Sequence, residues 1–159
     1  MPSEPLRTYL HDHLAGATAG SGLARKIAEE NRETQLGEVM TGLATEIEAD
    51  RRMLMDLVTR LGYGRNQLKE AAGWVAEKVT RLKFSKAMAG TRELKLLLEL
   101  ETLSLGIEGK LAMWRLLQNR AEPRLAEFDL DELIKRAEDQ RATVERYRVE
   151  AGSLAFARR

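Results

Sequence analysis

Residues 91–119 read TRELKLLLELETLSLGIEGKLAMWRLLQN. Leu94 to Leu117 is the most apolar run of the chain, and Glu99, Glu101, Glu108 and Lys110 interrupt it. Ionised groups at those depths are costly in lipid, so the run does not read as a membrane span. It contains no proline, and Thr91 stands where an N-cap belongs, so it reads as one long helix. The helical period then sorts its charges. Lys95, Glu99, Thr102, Gly106 and Lys110 form one strip, expected to face solvent. Leu97, Glu101, Ser104, Glu108 and Leu111 lie opposite and are expected to be buried. Two glutamates, Glu101 and Glu108, would then sit inward, about 10.5 Å apart along the axis.

Outward from this run, the chain continues in the same manner. Of 159 residues only Pro2, Pro5 and Pro123 are prolines, and Leu, Ala, Glu and Arg outnumber β-branched and aromatic residues, which favours helix over strand. Five helical segments emerge, at about 5–31, 35–61, 66–88, 91–119 and 130–155. Gly62-Tyr63-Gly64, Gly90 and Glu122-Pro123-Arg124 mark the breaks. Four of the segments would be roughly 40 Å long. Such matched helices with short connections within pairs describe a single-domain, all-α four-helix bundle, with the segment at 66–88 as an additional crossover helix between two hairpins.

The first segment carries a 4,3 stripe of Leu6, Leu10, His13, Ala17, Gly20, Ala24 and Ile27. His13 lies on it and is expected to point inward. His11 projects roughly 200° away, so the pair in LHDHLAGATAG cannot chelate one metal from a helix. The small residues Gly16, Ala17, Gly20 and Ala24 either let a neighbouring helix approach closely or leave room for something else. Close packing is the more common outcome. The second segment buries Leu36, Met40, Leu43, Ile47, Leu54, Leu57 and Leu61, with Asp50 on the same seam and Glu46 one turn earlier. The fifth buries Leu130, Leu133, Ala137, Val144, Tyr147 and Ala151, with Gln140, Arg141 and Arg148 among them.

The expected interior therefore holds a polar network of His13, Glu46, Asp50, Glu101, Glu108, Arg141 and Arg148. A carboxylate buried alone is costly, so each needs a cation, a metal or a proton. Glu101/Glu108 and Arg141/Arg148 share a seven-residue spacing. In antiparallel helices this predicts crossed pairs, Glu101 with Arg148 and Glu108 with Arg141, with the guanidinium fork suited to each carboxylate. The common reading of such a network is that it fixes helix register.

Long helix pairs, a long crossover and inward carboxylates resemble the ferritin-like superfamily. There each half supplies a Glu from its first helix and a Glu-x-x-His from its second. A faint twofold repeat runs through this chain, Glu48-Ala-Asp-Arg51 and Glu138-Asp-Gln-Arg141. Both are Glu-x-x-Arg, and arginine neither ligates nor attracts a metal. Glu101 or Glu108 takes the fourth-segment carboxylate position, and His13 replaces the first-helix Glu. The resemblance, so altered, implies a non-catalytic bundle without a cofactor, in which guanidinium groups balance the carboxylates and the protein acts by binding or self-association. The alternative is a carboxylate-rich, one-His site for Fe, Mn or Zn, formed by His13, Glu46, Asp50, Glu101 and Glu108.

Other chemistries find less support. There is no cysteine, and Lys plus Arg at 26 against Asp plus Glu at 25 leaves a net charge of +1, which argues against a dedicated nucleic-acid binder. Arg115, Arg120, Arg124, Arg158 and Arg159 read as solvated ends. The N-terminus lacks the blocks of a signal peptide, so the cytoplasm is the default location. No Gly-rich phosphate loop follows a strand, and no serine lies in a nucleophile elbow. Trp74 and Trp114 fall near the edges of their apolar faces, where a homodimer or another protein could meet them, although core packing is the commoner use. A small-molecule ligand is the remaining class of partner.

Overall fold

The structure, a computed structural model, describes residues 3–64 and 90–157. Four long helices account for most of them. They are α1 (Glu4–Glu30), α2 (Gln35–Arg60), α3 (Arg92–Arg120) and α4 (Leu130–Ala155), with a short 3-10 turn at Pro123–Leu125. The expected crossover helix at 66–88 and Trp74 lie outside the described residues.

The helix ends follow local chemistry. Thr34 caps α2 by accepting from Gly37 N, Thr91 caps α3 by accepting from Leu94 N, and Asp129 caps α4 by accepting from Glu132 N. Each satisfies an amide that the helix itself cannot. At the end of α2, Gly62 takes φ 83°. Its amide donates to Thr59 O, and the Tyr63 amide to Val58 O, which closes the helix in a Schellman motif. Tyr63 is buried there and its hydroxyl donates to Ser3 O at 3.2 Å, tying this end of α2 to the start of α1.

α1 packs along α2 and α3 packs along α4. The two hairpins meet chiefly through α1 against α3, while α2 touches α4 at few places. Ion pairs give the directions. Lys26 meets Glu99 and Glu30 meets Lys95, so α1 and α3 are antiparallel. The helices therefore run up, down, down, up. α2 ends and α3 begins at opposite ends of the bundle.

The core falls into two parts. One gathers Leu23, Ala24, Ile27, Met40, Ile47, Leu100, Leu103, Ile107 and Val144 toward one end. The other gathers Leu10, Leu14, Leu54, Leu57, Leu111, Trp114, Leu117 and Leu133 toward the opposite end. Polar side chains occupy the level between them, around Asp50. The outer side of α3 is apolar as well, with Leu98, Leu105 and Leu116 exposed.

Candidate functional site

Asp50 is the centre of the site. Its place on the apolar seam of α2 brings it to 1% exposure. The Lys110 ammonium, from α3, donates to Oδ2 at 2.7 Å and to Gln140 Oε1 at 2.5 Å. Gln140, from α4, donates through Nε2 to Asp50 Oδ2 at 3.1 Å and to Glu46 Oε2 at 3.2 Å. Arg136, one turn before Gln140, places Nη2 2.6 Å from Asp50 Oδ1. That contact is an ion pair but not an aligned hydrogen bond, so Oδ1 gains charge balance without a well-directed donor. One carboxylate of α2 is thus held by two cations and an amide from two other helices, α3 and α4. Burial pushes the Lys110 ammonium below its ordinary range, and the adjacent Asp50 charge only partly opposes this.

A second buried acid, Glu99 of α3, accepts from Lys26 of α1 at 2.7 Å and is 3% exposed. On α2, Glu48 accepts from Ser21 Oγ at 2.7 Å and from Arg51 at 2.8 and 2.9 Å. These donors, with the Arg51 guanidinium foremost, hold the Glu48 carboxyl down to about 2.

The expected polar network is divided by this arrangement. Asp50 is at its centre, and Glu46 joins through Gln140 from an exposed position. Glu101 pairs with Arg148 at 3.0 Å and Glu108 with Arg141 at 2.7 Å, the crossed pairing of antiparallel helices. Both pairs lie at the surface, however, with Glu108 and Arg141 about half exposed. The phase assigned to α3 is corrected accordingly. Glu99, placed on a solvent strip by the sequence, is buried, and Lys110 of the same strip is turned inward to Asp50 and partly buried, while Glu101 and Glu108 flank the outside of the α3–α4 contact. His13 shares a cavity wall with Asp50. It is half-buried, packs edge-on against Tyr9 with ring centroids 4.5 Å apart, and lines a cavity. His11, expected to face water or a partner, is half-buried too.

The two Glu-x-x-Arg segments serve different ends. Glu48 and Arg51 pair within α2, whereas Glu138 receives Arg115 and Arg141 goes to Glu108. Of the basic residues assigned to solvated ends, Arg115 thus holds Glu138. Arg124 donates to Leu61 O at 3.1 Å, tying the turn after α3 to the end of α2. Trp114, expected at the edge of an apolar face, is fully buried.

His13, Glu46, Asp50, Glu101 and Glu108 are not gathered, and among the described residues no three acidic or imidazole side chains form a metal-holding group. At Asp50 the space beside the carboxylate is taken by ammonium and guanidinium, which repel a cation. Among the described residues no helix is long and apolar enough to cross a membrane.

A cavity of about 290 Å³ opens beside this cluster, between α1, α2 and α3. Gly16, Ala17 and Gly20 of α1 face Gly106 and Gly109 of α3 across it. A methyl group added at any of these glycines would meet nothing within 4 Å among the described residues. The small residues of α1 that line it therefore leave room, while Ala24, further along the helix, is packed into the core.

Lys110, Arg136 and Glu99 are the members of this region that sequence reasoning missed. Arg136 precedes Gln140 by one helical turn, the signal that could have placed it on the same face. Compared with protein-family models, curated proteins and solved structures, the chain matches none.

Proposed function

We propose that this chain is a non-catalytic binding module on a ferritin-like bundle, in which a cluster of protein cations stands where that superfamily holds its metals. The observation that carries the reading is Asp50, 1% exposed and already faced by Lys110 and Arg136. The up, down, down, up run of the helices supports the ferritin-like part. A carboxylate neutralised by its own chain has no electrostatic need of an ion, and the cluster's work is then to hold α2, α3 and α4 in one register.

Elemental analysis of protein purified without chelators, with thermal melts in added Fe(II), Mn(II) and Zn(II), tests this. The expected result is substoichiometric metal and an unchanged midpoint. One or more equivalents of metal, lost in Asp50→Asn, overturns it.

Self-association is the second mode of action within this reading, favoured by the exposed Leu98, Leu105 and Leu116 of α3. Sedimentation of Leu105→Lys beside the unaltered chain tests it. A monomer in both cases removes it.

A further inference from the structure

The geometry points to the cavity between α1, α2 and α3 as a binding site for a compact, uncharged, largely apolar molecule that carries one hydrogen-bond acceptor, received by the Trp114 indole. This names the ligand class for the binding module proposed above and rests on that reading. Three observations converge on it.

The first is room. The cavity measures about 290 Å³, and a cavity of roughly 150 Å³ is enough for benzene. A two-ring aromatic or a chain of about ten carbons is therefore the right scale. Among the described residues, nothing lies within 4 Å of where a Cβ would stand on the glycines along both walls.

The second is wall chemistry. Leu23, Ile47, Leu54, Leu103, Ile107 and Met113 line the space, and an apolar body fits them. The lining cations are committed elsewhere, Lys110 to Asp50 and Gln140, Arg51 to Glu48. An anionic ligand would have to compete with those partners, which selects an uncharged one.

The third is an unmet donor. Trp114 lines the cavity, is fully buried, and its Nε1 has no hydrogen-bond partner among the described residues. Buried donors are almost always satisfied, because leaving one unmet is costly. A carbonyl-type oxygen on the ligand supplies the missing acceptor.

Two probes of equal size separate these contributions. 2-Acetylnaphthalene carries the acceptor, and 2-ethylnaphthalene does not. Binding is followed in ¹H–¹⁵N spectra of the full chain through the indole N–H signals, with Trp74→Phe used to assign that of Trp114. The acetyl probe is expected to bind at one equivalent, to move the Trp114 signal downfield, and to bind several-fold more tightly than the ethyl probe. Trp114→Phe should erase that preference, so that the two probes bind equally, whatever affinity they then share. Gly106→Leu, at a position where a Cβ meets nothing within 4 Å among the described residues, should abolish binding of both. Equal affinities with an unmoved indole signal, or no binding of either probe up to its solubility limit, overturns the site. Either result leaves the metal-free reading standing, since that reading falls only on metal stoichiometry.

Discussion

Lys110 and Asp50 form a 2.7 Å ion pair between α3 and α2, at the level where the two halves of the apolar core meet. Asp50 is the less replaceable partner, because it serves both Lys110 and Arg136. Asp50→Ala should cost roughly 3–5 kcal/mol, since it leaves two cations without their acid. Lys110→Met should cost less, as Arg136 still balances the carboxylate. The double variant Asp50→Ala/Lys110→Met should recover part of the loss. Urea denaturation of the four proteins measures this. Strict additivity would show that the pair is not coupled.

Glu48 gives the pH dependence a definite sign. Its carboxyl is held at about 2 in the folded chain against 4.5 ordinarily. A depressed carboxyl contributes stability that is present above 4.5 and is lost as pH falls toward 2. Its partial exposure to solvent reduces the contribution to about 1 kcal/mol. Glu48→Gln should therefore be less stable than the unaltered chain at pH 7, and the gap should close between pH 4.5 and pH 2. A gap that is constant across this window contradicts the assignment.

Two glycines in helices should respond to alanine with opposite signs. At Gly37 a Cβ would lie 2.0 Å from Asn31 O and 2.8 Å from Arg32 Cα, both backbone atoms of the α1–α2 connection. Gly37→Ala must displace that turn, at a cost of about 1–3 kcal/mol. At Gly22, exposed on α1, nothing lies within 4 Å. Gly22→Ala should stabilise by roughly 0.5–1 kcal/mol through helix propensity alone. Thermal melts of both variants decide it.

Ala121 ends α3 in the left-handed conformation, φ 48° and ψ 42°. Any side chain there is strained, and glycine is not. Ala121→Gly should raise stability by about 0.5–1 kcal/mol, visible as a higher urea midpoint with unchanged slope. A lower midpoint would mean that the alanine methyl makes contacts worth more than the strain.

Much of the framework was legible because its signals are local. The cap Thr91 and the stop at Gly62 placed their helix ends within about a residue. The seam of α2 carried Asp50 inward, since a single polar residue on an otherwise apolar stripe has one phase. The phase of α3 was not legible. Leucines surround that helix, from buried Leu100 and Leu111 to exposed Leu105, so periodicity admits several faces. The choice made there exposed Lys110 and Glu99 and buried Glu101 and Glu108, which displaced the expected centre of the site by roughly a quarter turn of the helix. Arg136 lay within a charged stretch of α4, beside Lys135, Glu138 and Asp139, and only the neighbour it meets sets it apart.

Tertiary context also decided the glycines of α1. Gly16 and Gly20 read more readily as a tight crossing, and the space opposite them depends on Gly106 and Gly109, far along the chain.

The arrangement around Asp50 bears on how the molecule is assembled. Each hairpin gathers most of its contacts within itself, so each can condense as a local unit before the two unite. Asp50 belongs to one hairpin, and Lys110, Arg136 and Gln140 to the other. Docking with a slip of one helical turn, about 5.4 Å, would bring together leucines almost as well, but it would leave an acid and two bases stranded in oil. The charges act as a key, admitting a single alignment of two halves whose greasy surfaces alone would accept several.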